Sequence, residues 1–312
     1  MMRVFIDGAA GTTGLEIVDR LANRPEFDLL ILGDAERKSA AARADAIAAA
    51  DITILCLPDD AARDAVALAE GTNARIIDAS SAHRIDPRFA YGFPELGGDV
   101  RRAIEQARLV SNPGCYPTGF LALVRPLVAD GLLPADWPVS VNAVSGYSGG
   151  GKAMVAAFEN ADAPDATSTA HRAYALGLGH KHLGEMRVHA GLAHAPLFTP
   201  AVTRTYRGMI VEVPLPLARL PGAPTLDDLR QSLASAYAGS PIVRVSDARP
   251  ATLDIERMAG TDGMELFVLG DAVAGQARLV ALLDNLGKGA AGAAIQNLNI
   301  MSGLPETAGL RL

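Results

Sequence analysis

Cysteine is scarce in this chain: its 312 residues include two, Cys56 and Cys115, in unlike settings. That excludes a disulfide framework as scaffold and makes a reducing cytoplasm the expected location. No apolar run approaches the roughly 20 residues that cross a bilayer, so no membrane partner is expected. The opening MMRVFIDG has no basic stretch leading into an apolar one, so no secretory leader is expected either. Positive charge is not in excess: 28 basic and 35 acidic residues give a net charge of −7. An acidic chain without a basic stripe repels backbone phosphates, so no nucleic-acid partner is expected. Neither CxxC nor HExxH occurs, and no metal site is expected. Internal repeats and low-complexity tails are lacking as well. What remains is an ordinary globular composition, 49% hydrophobic and 20% charged, with length for about two domains.

The first third alternates strands and helices. Residues 3–7 read as a short apolar strand, and a glycine-rich turn follows at 8–14. Leu15, Ile17, Val18 and Leu21 then repeat at near-helical spacing. Strands are expected at 27–32, 52–57 and 75–78, and helices at 40–50 and 61–70. The run at 52–57 is apolar throughout, as for a strand covered on both faces. This alternation predicts a Rossmann-like, doubly wound parallel sheet. After about residue 116 the pattern changes to a mixed α+β domain, with a helix at 117–129 and strands at 139–144, 209–215 and 265–269. A small-residue-rich helix at 289–301 closes the chain and should pack closely against something large. The expected division is residues 1–116 with 288–312 for the nucleotide, and 117–287 for substrate and oligomerisation.

The turn Gly8-Ala9-Ala10-Gly11-Thr12-Thr13-Gly14 lies where an open α/β sheet holds a dinucleotide pyrophosphate. Glycines admit a close backbone, and the helix start offers unpaired N–H donors. The spacing is G-x-x-G-x-x-G rather than G-x-G-x-x-G, so a ligand-free turn is the plain alternative. Gly8, Gly11, Thr12, Thr13 and Gly14 are the candidate cofactor contacts. Asp34, twenty residues beyond Gly14, suits a ribose 2′-hydroxyl and hence NAD. Arg37, Lys38 and Ser39 suit a 2′-phosphate and hence NADP. The two cues conflict.

Cys115 follows the bend-forming Asn112-Pro113-Gly114 and precedes a helix. A helix start stabilises a thiolate and could hold an oxyanion, which makes Cys115 the candidate nucleophile. Cys56, inside an apolar strand, reads as structural. Among six histidines, those of Gly179-His180-Lys181-His182-Leu183-Gly184-Glu185 form the densest polar cluster. His182 and Glu185, three apart, would share a helix face as an acid–base pair. His171, His189 and His194 read as ordinary polar residues. The loop 145–152, SGYSGGGK, lets backbone approach a flat ring or an anion. It holds Ser145, a candidate substrate contact, and Gly149, a candidate cofactor contact. Arg84, after the strand end at Asp78, could grip a phosphate or carboxylate with its planar fork.

Taken together, these segments resemble the N-acetyl-γ-glutamyl-phosphate reductase family, in its shorter-chain form, within the aspartate-semialdehyde dehydrogenase group. The resemblance covers nearly the whole chain. It rests on the 8–14 turn, DASSAHR at 78–84, YGFPEL at 91–96, SNPGCYPTG at 111–119, SGYSGGGK, GHKHLGE at 179–185 and DNLGKGAAGAAIQNLN at 284–299. It implies Cys115 as nucleophile, His182 as acid–base, and His180, Glu185 and Arg84 about the substrate. It also implies Asn285 near the nicotinamide, and NADP as cofactor. The chain carries His83 where many relatives have an aromatic, and Gly184 where longer ones often have Pro. The implied reaction reduces a small acyl phosphate through a cysteine thioester in arginine biosynthesis, in a homodimer or homotetramer. The rivals are aspartate-semialdehyde or carrier-linked aminoadipate-semialdehyde dehydrogenases and, from another class, a non-catalytic NADP-binding regulator.

Overall fold

The computed structural model describes residues 1–312. In chain order the elements are β1 (Met2–Asp7), α1 (Thr12–Leu21), β2 (Phe27–Leu30), α2 (Ala40–Ala49), β3 (Ile52–Leu55), α3 (Asp59–Leu68), β4 (Arg75–Asp78), β5 (Ala90–Tyr91), α4 (Gly98–Gln106) and β6 (Leu109–Ser111). There follow α5 (Cys115–Ala129), β7 (Ser140–Gly146), α6 (Gly151–Glu159), β8 (His171–Ala173), α7 (Leu183–Ala190), β9 (Leu197–Thr203), β10 (Met209–Pro216), α8 (Leu226–Ala236), β11 (Val243–Ser246), β12 (Met264–Asp271), β13 (Gln276–Leu283) and α9 (Gly292–Met301). The chain divides into two compact units. One holds Met1–Pro94, Gly98–Gly114 and Ala290–Leu310; the other holds Glu95–Gly97, Cys115–Gly289 and Arg311–Leu312.

The first unit is a six-stranded parallel sheet in the order β2-β1-β3-β4-β6-β5. All four β3 residues are buried. On one face Val4 and Ile6 pack with Ile17 and Leu21 of α1 and with Ile295 and Leu298 of α9. On the other, Phe5 and Leu55 pack with Ile47 of α2 and Ala62 and Ala65 of α3. Helices cover both faces, so the strand centres carry apolar side chains on both sides, as doubly wound sheets require. β3 ends at Leu55, two residues short of the apolar run, because Pro58 caps α3 and the chain must turn over Gly8 before it. Chain direction across the sheet reverses at β1 and β3, the place where such sheets bind ligands.

The second unit is a seven-stranded mixed sheet, β11-β12-β13-β10-β7-β9-β8. Its pairings are antiparallel except for β11 with β12 and β7 with β9. Helix α5 lies on it, buried on almost every side, as its all-round apolar sequence demands. At Gly119 a Cβ would come 2.8 Å from Val211 Cγ2, so glycine lets α5 sit directly on β10. The expected start of this helix at Pro117 moves back to Cys115, which becomes its first residue.

Candidate functional site

The glycine turn of the first unit is built for backbone approach. Gly8 has φ +87°, and a Cβ there would lie 2.3 Å from the Cys56 carbonyl oxygen. A Cβ on Gly14 would lie 2.4 Å from the Gly8 carbonyl oxygen, so α1 packs on the turn only because that position is bare. Gly11 precedes Thr12 and Thr13, and no side chain caps α1 or places an acid in its first turn. Its N–H groups and positive dipole end therefore remain available to an anion. Beside the turn a cavity of about 470 Å³ is lined by Gly8, Ala9, Ala10, Asp34, Arg37 and Lys38 among others. A bare cradle, an uncapped helix start and an adjoining cavity fit a dinucleotide. Arg37 pairs with Asp34 at 2.9 Å, so the two conflicting cues meet in one ion pair. Ser39 caps α2, its Oγ accepting from Ala42 N at 3.3 Å while its O–H can still donate.

At the end of β4, Asp78 is fully buried and organises its loop. Its Oδ1 accepts from Ser80 N at 2.9 Å, and its Oδ2 accepts from Ser80 Oγ at 2.8 Å and lies 2.6 Å from His83 Nδ1. His83 stacks on Phe89 with ring centroids 4.5 Å apart, so this histidine is held as an aromatic would be. Arg84 is buried and donates to the carbonyls of Asn112 at 3.0 Å and Ala79 at 3.2 Å. Asn112 also takes a bond from Asn297 Nδ2 and gives one to the Ala290 carbonyl, both at 3.0 Å. Arg84, expected at a substrate anion, thus also braces the backbone ahead of Cys115.

In the second unit Cys115 stands at the first turn of α5, where the helix field favours a thiolate. Its neighbour Tyr116 donates to the Ala201 carbonyl at 3.0 Å and receives the Tyr174 hydroxyl at 3.2 Å. Burial first, then the negative charges of Tyr174 and Cys115, pushes the Tyr116 phenol well above its ordinary value. Burial and the Cys115 charge push Tyr174 up to about 12. The Tyr116 ring lies 6.0 Å from His182 and 6.2 Å from His180. The two imidazoles are 4.6 Å apart, and His182 N donates to His180 Nδ1 at 3.1 Å. His182 immediately precedes α7, and Glu185 is buried in the first turn of that helix. The pattern at 179–185 and the cysteine turn therefore converge on one cluster of rings.

Ser145, Gly149 and Asn285 also come together. A Cβ on Gly149 would lie 3.2 Å from Ser145 Oγ and 3.4 Å from Asn285 Nδ2. Ser145 is buried and donates to the Gly146 carbonyl. Asn285 accepts from Gly208 N at 3.0 Å and donates to Ser148 Oγ at 2.8 Å, so both ends of its amide serve the protein. No group of three or more His, Cys, Asp or Glu is placed to hold a metal ion. Sequence reasoning passed over Tyr116, Tyr174 and Asp284. Tyr116 and Asp284 sit inside motifs already singled out, beside the residues that drew attention.

Fold and site define a two-unit oxidoreductase that uses a nicotinamide dinucleotide. Residues 3–107 match the semialdehyde dehydrogenase NAD-binding domain, and residues 115–285 match the semialdehyde dehydrogenase dimerisation domain. The chain is 54% identical over 306 residues to N-acetyl-gamma-glutamyl-phosphate reductases of Brucella ovis and Brucella melitensis, covering 96% of this chain and 99% of theirs. Among solved structures, aspartate semialdehyde dehydrogenase from Francisella tularensis aligns with a TM-score of 0.73 at 15% identity, over 97% of this chain and 100% of that one. The Candida albicans enzyme with NADP aligns at 0.67 and 16%, over 97% and 98%. The chain belongs to the semialdehyde dehydrogenase family and, within it, to the N-acetyl-γ-glutamyl-phosphate reductases.

Proposed function

We propose that the protein reduces N-acetyl-γ-glutamyl phosphate to N-acetylglutamate 5-semialdehyde through a thioester on Cys115, with NADP as its coenzyme, in arginine biosynthesis. The observation that carries the chemistry is the placing of Cys115 at the start of α5 beside Tyr116, which in turn contacts both His180 and His182. The 54% identity to reductases of that name supports the substrate. In the first unit Gly8, Gly11, Thr12, Thr13 and Gly14 would hold the pyrophosphate, and Arg37 and Lys38 the 2′-phosphate. Asp34, already paired with Arg37, opposes that phosphate less than a free carboxylate would. The bound coenzyme supplies the hydride.

The Cys115 thiolate attacks the acyl carbon, a C–S bond forms, the C–O bond to phosphate breaks, and phosphate leaves. Backbone N–H groups at the α5 start hold the oxyanion of the tetrahedral intermediate. After reduction, His182 as imidazolium protonates the thiohemiacetal oxygen, then takes that proton back as the C–S bond breaks and the aldehyde departs. Thioester sulfur donates little resonance into its carbonyl, so the carbon accepts hydride more readily than a carboxylate carbon. In the second unit Ser145, His180 and Glu185 would contact the substrate and Gly149 and Asn285 the nicotinamide; in the first, Arg84 would take a substrate anion. Two further assignments follow. The second unit, matched as a dimerisation domain, joins protomers into a homodimer or homotetramer. The two free cysteines suit a cytoplasmic setting, and no helix is long and apolar enough to cross a membrane.

A panel of N-acetyl-γ-glutamyl phosphate and β-aspartyl phosphate, each with NADPH and NADH, tests the reading. Turnover is expected with the N-acetylated substrate and NADPH. Preference for β-aspartyl phosphate overturns the substrate, and coenzyme binding without turnover of either points to a regulator. Cys115→Ser should lose at least about 10³-fold in kcat while still binding NADPH. Activity within a few-fold of wild type removes the nucleophile assignment.

A further inference from the structure

We propose that Asp284 is a positioning residue for the Cys115 thiol. By closing the turn at residues 284–289 it seats Gly289 against Cys115 and sets where the sulfur projects. The proposal rests on Cys115 being the nucleophile.

β13 ends at Leu283, and the next residue is a fully buried carboxylate. A carboxylate out of water needs donors on both oxygens, and Asp284 has them. One oxygen accepts from Leu286 N at 2.7 Å and Gly287 N at 3.1 Å. The other accepts from Gly260 N at 2.5 Å and faces the Arg207 guanidinium at 3.3 Å. Its own carbonyl takes Gly289 N at 2.9 Å, five residues on, which opens the chain into a π-helical turn at Gly287–Ala291. Such wide turns recur at functional sites.

The turn is locked at three successive residues. A Cβ on Gly287 would lie 2.0 Å from the Thr261 carbonyl oxygen. Lys288 is buried and reaches Glu95 Oε1 at 2.7 Å. A Cβ on Gly289 would lie 2.9 Å from Cys115 Cβ and 3.3 Å from its Cα. Gly289 is not among the positive-φ glycines. Space, not backbone strain, is what demands glycine there. Cys115, as the first residue of α5, has no preceding helical turn behind it, so the Gly289 backbone supplies that wall. Displacing a reacting atom by about 1 Å can cost about 10²-fold in rate.

Gly289→Ala places one methyl group on Cys115, and Asp284→Asn keeps the shape but turns one acceptor into a donor facing an N–H. Both are compared with wild type by phosphate-burst titration, which counts acylating sites, followed by kcat and KM per titrated site. Iodoacetamide alkylation of Cys115 is followed from pH 5 to 9, with the modified peptide read by mass. For both variants we expect kcat per site to fall about 10²-fold, KM to stay within about threefold, and the alkylation profile to move. A purely structural role would lower the number of titrated sites and leave the per-site rate and the alkylation profile alone. That result in either folded variant overturns the proposal. A wild-type enzyme with no burst and no alkylation at Cys115 instead removes the nucleophile reading on which it rests.

Discussion

The two cysteines show how much of a residue's chemistry is set by its surroundings. Cys115 begins a helix; Cys56 packs against the core beside two carboxylates. Burial, then the charges of Asp78 and Asp7, pushes the Cys56 thiol up to about 12. At pH 8 iodoacetamide should therefore add one equivalent, at Cys115, and a second only in denaturant. Two equivalents in the native protein, counted by mass, contradict this contrast. The same shift has a stability consequence. An unfolded Cys56 releases its proton near its ordinary value of 9.0, whereas the folded one holds it to about 12. In that window the unfolded state binds fewer protons, so stability is complete below pH 9 and falls as pH rises. The slope is at most about 1.4 kcal/mol per pH unit. Cys56→Ala should flatten urea-unfolding free energies between pH 9 and 10 relative to wild type. That Cys115 stands at a helix start was legible from the bend before it and the pattern after it. The Tyr116–Tyr174 pair was not, because the two phenols lie 58 residues apart and meet only across the fold.

Among the elements, helices with local signals were the more legible. The apolar spacing of α1 and the alanine-rich run of α2 both appear in the structure near their expected limits. β9 contains Pro200, which argues against a strand by pattern, yet β7 and β8 hold it on either side. β8 has only three residues, too few for a period to declare itself. α8 carries its own start signal, a capping box in which Thr225 accepts from Asp228 N while the Asp228 carboxylate accepts from Thr225 N. Thr225→Ala should lower unfolding free energy by about 1 kcal/mol with activity unchanged, read as a lower urea midpoint at constant slope. Gly119→Ala acts differently. Its methyl group meets Val211, and overpacking of this kind costs about 1–3 kcal/mol, measured the same way.

On the scale of the whole molecule, long-range pairs decide what local pattern leaves open. Lys288 and Glu95 lie 193 residues apart and form a buried ion pair. Lys288→Met takes the buried ammonium away from the Glu95 carboxylate and should cost about 3–5 kcal/mol, whereas adding Glu95→Leu should restore much of the loss. A double variant no more stable than the single one in urea unfolding denies the pair its role. Coenzyme binding offers a second measure. NADPH at a hundred times its Kd should add about 2.7 kcal/mol to unfolding, and NADH at the same concentration less. Equal rises in Tm with the two would remove Arg37 and Lys38 as a 2′-phosphate site.

By itself the sequence determined the alternation of strand and helix that makes the first unit a parallel sheet, the glycine turn at 8–14 and the cysteine bend. Each of these is a local pattern, because hydrophobic period, bare glycines and bend-forming residues act within a few positions. Only tertiary structure decided that Arg84 braces the Asn112 carbonyl, that Asn285 has both ends of its amide engaged, and that Asp284 closes a turn behind Cys115. A buried polar group must find its partners wherever the fold brings donors and acceptors together, and no spacing along the chain records where that will be.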